Sequence, residues 1–170
     1  MRKYILMSIM LILLSVYVKI NYFPPESTSA RVQRVYHNVV AVSGMSHLAL
    51  PVVYIDAPIV NAFNTGTNIV IFAGIINITK TDDELALVLA HELAHSVLQH
   101  QDLGQLQYTD PTVLEANADS LGGFYIMRAG YDICKARQLW VTLIESDGDY
   151  LGQNHPSISY RINQLNVGCK

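Results

Sequence analysis

Thr81-Asp82-Asp83-Glu84 opens the stretch that constrains the fold of this chain most. The Thr hydroxyl can accept the amide proton of the third helical residue while Glu84 reaches back to the cap amide, the reciprocal pairing that starts a helix. The next residues, Leu85-Ala86-Leu87-Val88-Leu89-Ala90, are apolar on nearly every side. A helix of that kind runs through a core and not over its surface. It then carries His91-Glu92-Leu93-Ala94-His95. Residues four apart on a helix share a face, so both imidazoles can reach one ion while Glu92 flanks it. Two histidines and a glutamate among apolar neighbours are costly without a partner, and a metal ion supplies one. The plainer alternative is a pair of core histidines satisfied by backbone carbonyls. His100, past Gln99 at the polar end of this helix, reads as a solvated residue and not as a ligand.

A catalytic zinc ion takes three protein ligands and leaves its fourth position to water. Glu115-Ala116-Asn117-Ala118-Asp119 sets two carboxylates at i and i+4 on one helix face, with Ala116 and Ala118 letting another helix approach. Alone, that pair suits a solvated face equally well. Downstream of the histidine motif, Glu115 becomes the expected third ligand. Asp119, one turn on, is placed to accept a hydrogen bond from the free N–H of a ligating imidazole. One Zn²⁺ per chain is the expected cofactor, with other first-row metals left open by the donor types.

The chain has 170 residues, enough for one domain and a short extra segment. Val32, Val35, Val39, Val40 and Val42 mark a first helix over 30–46, ending near Gly44. The β-branched run in 50–55 and the stretch 68–72 read as strands, joined by a turn-rich connection over 61–66. Asp110 and Pro111 open a second helix that ends at Gly130. Further helices are expected over 132–145 and 156–166. Hence the fold class is α+β and mostly helical, with a small β-sheet beside the motif helix. Cys134 and Cys169 lack the spacing of a thiolate metal site; they are either a single bridge closing the C-terminal segment or two free thiols. The net charge of -3 and scattered Lys and Arg leave no basic stripe, which argues against nucleic acid as a partner.

Residues 1–23 begin with Arg2 and Lys3 and continue in an apolar run from Ile5 to Val18. This pattern is an export signal or a membrane anchor, the weakness of a small-residue cleavage site near Ser27-Thr28-Ser29-Ala30 favouring the anchor. Residues 24–30, with Pro24-Pro25, read as a linker to a domain over 31–170. With Arg2 and Lys3 inside, the domain is expected to be extracytoplasmic, periplasmic or secreted, and attached to the inner membrane through residues 5–23. The oligomeric state is left open.

Together these residues resemble the gluzincin metallopeptidase family of HtpX, the CAAX prenyl endopeptidases and small periplasmic peptidases. The resemblance rests on Asn61-Ala62-Phe63 and Gly66 before a strand, Asp82-Asp83-Glu84-Leu85, the motif at 91–95, Glu115 with Asp119, and His155-Pro156 with Arg161-Ile162. It implies a zincin-like domain, with Glu115 as third ligand and Glu92 as general base. It further implies that His155 stabilises the transition state and that Arg161 pairs with Asp119. By themselves, His155 would read as a loop residue and Arg161 as a surface charge. Unlike larger relatives, the chain has no later pair of long apolar segments to build a membrane-embedded chamber.

The expected activity is cleavage of polypeptides, unfolded or envelope proteins among them, by a metal-activated water with Glu92 taking its proton. Asn68, Ile69, Val70 and Ile71 are expected to form an edge to which an extended substrate adds by backbone hydrogen bonds; an internal strand is the alternative. Two competing functions stay open: a membrane-associated zinc-binding chaperone or adaptor without turnover, and an amidase acting on small or cell-wall amides. The loop over Gly148–Gly152, with Asn154 and His155, is a candidate cover that would keep the enzyme latent.

Overall fold

The computed structural model describes residues 26–100, 110–147, 157–165 and 169. The N-terminal segment 1–23, the start of the linker, the loop at Gly148–Gly152, and Asn154 with His155 therefore lie outside the described residues. Among the described residues no helix is long and apolar enough to cross a membrane.

Helix α1 (Thr28–Ser43) starts where the Ser27 hydroxyl accepts the Ala30 amide, two residues before the expected start, and ends as Gly44 turns left-handed. Its buried stripe is Val32, Val35, Tyr36 and Val39. A 3-10 turn at Ser46–Leu48 leads to β1 (Val52–Ile55), β2 (Ala62–Asn64) and β3 (Ile69–Phe72). Helix α2 (Ala73–Ile78), which sequence periodicity does not announce, follows directly. Motif helix α3 (Asp82–Val97) is followed by α4 (Pro111–Arg128). The helix expected over 132–145 is instead two: α5 (Ile133–Ala136) and α6 (Gln138–Asp147). The hydrogen-bond register resets at Arg137, whose carbonyl accepts the Trp140 amide at 3.0 Å. Helix α7 (Ile158–Gln164) closes the described chain.

The sheet order β1-β3-β2 overturns the expectation that 68–71 forms an edge. Strand β3 pairs in parallel with β1, Val53 opposite Val70, and antiparallel with β2, Phe63 opposite Val70. With both flanks taken, Ile69, Val70 and Ile71 have no backbone edge to offer, and Asn68 precedes the strand. The edges are β1 and β2, and β2 lies in the stretch read as a connection. Three residues with Asn at one end carry little strand signal of their own, and pairing with β3 makes them a strand.

Helix α3 is the axle of the molecule. The capping box forms as expected, the Thr81 hydroxyl accepting the Glu84 amide at 3.2 Å and Glu84 accepting the Thr81 amide at 2.9 Å; Glu84 also accepts the Lys80 amide. Arg31 and Arg34 of α1 each bind Asp82 at 2.8 Å, fixing α1 to that cap. Every residue from Glu84 to Ala94 is buried. Against one side lies α4, whose buried residues include Leu114, Ala118, Gly122 and Ile126. A Cβ on Gly122 would stand 3.0 Å from the His91 amide nitrogen and 3.1 Å from the Ala90 carbonyl carbon. Bare backbone there, more than the Ala116 and Ala118 pair, sets the close crossing; Ala116 is only half-buried.

Candidate functional site

His91, Glu92 and His95 come from the last half of α3, and Glu115 and Asp119 from the first half of α4. The close crossing turns the two faces together. His91 Nε2 and His95 Nε2 are 3.0 Å apart, and each lies 3.3 Å from a Glu115 carboxylate oxygen. One donor atom from each of these residues falls within 4.8 Å of the others. Ligands held tetrahedrally at about 2.0–2.1 Å from zinc stand roughly 3.3 Å from one another. Two imidazoles and one carboxylate at these separations fit a zinc ion with a position left for water. Charge supports the fit. Burial and the Arg161 charge push the His91 pKa down, yet hydrogen bonds to Asp119 and Glu115 outweigh them and raise it to about 9. The carboxylates of Asp119 and Glu115 thus favour positive charge beside His91.

Behind this group, His91 Nδ1 donates to Asp119 Oδ1 at 2.9 Å. Asp119 is 1% exposed and takes two further hydrogen bonds from Arg161 of α7, at 2.7 Å and 2.6 Å. Arg161 Nη2 also lies 3.2 Å from His91 Nδ1, since both converge on Oδ1. Burial alone would raise the Asp119 pKa, but the Arg161 charge and the bonds from His91 and Arg161 hold it below the usual carboxylate range. The Arg161 guanidinium carbon sits 3.9 Å over the Trp140 ring. Arg161 is thus buried between a carboxylate and an indole, far from the surface charge its position suggests.

Glu92 is buried, and burial, joined by the nearby Glu115 charge, raises its carboxyl pKa although His91, His95 and Arg161 act against that. It lines a cavity of about 360 Å³ together with His91, Asn61, Ala62, Trp140 and Arg161, its remaining walls being Val60, Ile75, Val88, Leu139 and Leu143. Asn64, at the end of β2, donates to the Glu92 carbonyl at 2.9 Å and to the Ser96 hydroxyl at 2.6 Å, which seats the edge strand beside the motif helix.

His100 is not solvated. It is 7% exposed, and its Nδ1 lies 2.9 Å from His95 Nδ1. Sequence reasoning also passes over Asn64, Gly122 and Trp140. The paired glycines 122 and 123 inside a helix are a readable sign of close approach, whereas Asn64 and Trp140 acquire their places only through tertiary contact. His155 lies outside the described residues. Asn68, with Ile69, Val70 and Ile71 of β3, stands apart from the cavity lining.

The chain is similar to known metalloendopeptidases. The chain is 30% identical over 175 residues to the mitochondrial metalloendopeptidase OMA1 of Schizosaccharomyces pombe, covering 81% of this chain and 52% of that protein. It is 31% identical over 150 residues to mitochondrial metalloendopeptidase OMA1 of Arabidopsis thaliana, covering 69% of this chain and 31% of that one. The chain thus spans about half the length of one of these relatives and about a third of the other. The family model for Peptidase family M48 matches residues 26–113, just over half of the sequence and all of the motif helix. On that match and that likeness, the chain belongs to peptidase family M48.

Proposed function

We propose that this chain is a zinc-dependent endopeptidase in which His91, His95 and Glu115 hold the metal and Glu92 is the general base. The observation that carries the reading is the donor set, two ring nitrogens and a carboxylate 3.0–3.3 Å apart, beside a buried acid that faces a cavity. Zinc in such a site supplies a Lewis acid and a water acidified to a pKa of about 7. Glu92, its affinity for a proton increased by burial, accepts the proton of the attacking water and returns it to the leaving amine. Asp119 fixes the His91 tautomer through Nδ1, and Arg161 keeps Asp119 ionised and in place.

An extended polypeptide would add to the open side of β2, whose Ala62 lines the cavity and whose Asn64 is tied to the Glu92 carbonyl. The apolar walls then receive a side chain close to the scissile bond. A transition-state role for His155 rests on the family resemblance alone. Residues 1–23 are proposed to export or anchor the domain outside the cytoplasm, on the strength of Arg2, Lys3 and the apolar run after them.

Metal content and casein cleavage, measured for the full chain beside Glu92→Gln with and without chelator, test this reading. One zinc per chain in both proteins, with cleavage only by the untreated wild type, is the expected result. Cleavage by a zinc-replete Glu92→Gln protein would rule out Glu92 as the base. Stoichiometric zinc with no cleavage by the wild type would favour an adaptor.

A further inference from the structure

The two imidazoles of the donor set are backed differently. His91 Nδ1 meets the Asp119 carboxylate, whereas His95 Nδ1 meets the ring of His100. We propose that His100 is a positioning residue of the metal centre: its Nδ1 accepts the Nδ1–H of His95 and so fixes the tautomer and ring plane that leave His95 Nε2 bare toward Glu115. This rests on the zinc reading above and adds to it a residue beyond the ligands, the base and the Asp119–Arg161 pair.

Hydrogen-bond parity supports it. Two ring nitrogens 2.9 Å apart share one proton, and a His95 whose Nε2 is a metal donor must carry its own proton on Nδ1. His100 Nδ1 is then the acceptor, with its proton on Nε2. The backbone is shaped to deliver that acceptor. In an uninterrupted helix, residue 100 would project about 140° round the axis from residue 95 and could not touch it. Instead the helix stops and Gln99 adopts φ 57°, the one left-handed non-glycine among the described residues and a conformation L side chains avoid. The turn closes with the His100 amide donating to the His95 carbonyl at 3.0 Å, which folds the imidazole back onto its neighbour. Burial agrees, since a histidine with no partner at a helix end would be drawn toward solvent, and this one is 7% exposed.

The test uses the full chain with His100→Leu, which removes the acceptor, and His100→Gln, which returns one through its side-chain carbonyl. His100→Phe keeps a planar ring without an acceptor and replaces the leucine variant if that protein does not fold. Zinc affinity is read by chelator competition, the visible spectrum is read on Co²⁺-loaded protein, and thermal melting is read on metal-free protein. Loss of the acceptor should weaken zinc binding 10–100-fold and shift the cobalt bands, while His100→Gln stays within a few-fold of wild type. Metal-free melting, lowered only modestly by the lost hydrogen bond, should not track the fall in zinc affinity across the folded variants. Wild-type affinity and an unchanged cobalt spectrum in His100→Leu or His100→Phe would overturn the inference, as would equal weakening in His100→Gln. A wild-type chain that binds no zinc would defeat the metal reading first, a result distinct from either.

Discussion

Asp119 has to satisfy a ring N–H and a guanidinium at once, with 1% of its surface exposed. Its carboxylate is therefore the residue on which the site's electrostatics turn. Asparagine at this position keeps the shape but leaves Arg161 buried without a counter-charge, and breaking a buried pair in this way costs about 3–5 kcal/mol. The sign with pH follows from the direction of the shift. Because the folded pKa is depressed below the ordinary 3.8, the contribution is fully present above that value and fades as pH falls through the folded pKa. His91 has the opposite sign: raised to about 9 without metal, it stabilises below 6.5 and loses that contribution as pH rises through 9. Urea unfolding of metal-free Asp119→Asn beside wild type should show the full deficit at pH 6 and a much smaller one near pH 2. A deficit that stays constant over that range would mean that Asp119 is not held ionised by Arg161.

At the scale of elements, the site is made by one crossing, that of α3 and α4 at Gly122. Alanine in a helix interior is ordinarily about 1 kcal/mol better than glycine. Here the added methyl meets the backbone of Ala90 and His91 at 3.0–3.3 Å, and a backbone segment in mid-core cannot swing aside as a side-chain tip can. Overpacking costs of about 1–3 kcal/mol exceed the propensity gain, so Gly122→Ala should be destabilised on balance. Since the strain falls at His91, zinc affinity should drop with it. Thr81→Ala makes the contrast, because losing the cap costs about 1 kcal/mol ten residues before the motif and should leave zinc affinity unchanged. A Gly122→Ala protein as stable and as tight-binding as wild type would show that the crossing has slack. These elements also mark what could be read in the sequence. The capping box, the buried motif helix, Asp110 before Pro111, and the Glu115–Asp119 spacing are local patterns, and local hydrogen bonds or periodicity write them into the residue order. Strand β2, the central place of β3, the helix break at Arg137 and the fold-back of His100 depend on partners distant in sequence or on a backbone angle that glutamine does not advertise. Arg161 was legible only through family resemblance, because nothing in Arg161-Ile162 itself signals burial.

For the whole molecule, the question is what holds α7, and with it Arg161, against the α3–α4 pair. Packing supplies part of the answer through Ile158 and Leu165 in the core. The covalent part is a disulfide between Cys134 and Cys169, 35 residues apart, so the open alternative of free thiols gives way to a bridge. Helices α6 and α7 both lie inside the loop it closes. Closing a loop of that length removes about 3–4 kcal/mol worth of chain entropy from the unfolded state, a sizeable fraction of the 5–15 kcal/mol that holds a typical domain together. Reduction, or Cys134→Ser, should therefore lower the melting temperature by roughly 10 °C for a chain of this size. His91, His95 and Glu115 sit on α3 and α4, outside the closed loop, so the reduced protein should still take up one zinc at saturation. What it should lose is the pairing of Arg161 with Asp119 at temperatures where α7 begins to detach, seen as faster amide exchange in α7 than in α3. A melting temperature and an α7 exchange rate unmoved by reduction would mean that packing alone holds the C-terminal helix, and that the bridge adds nothing to the support behind His91.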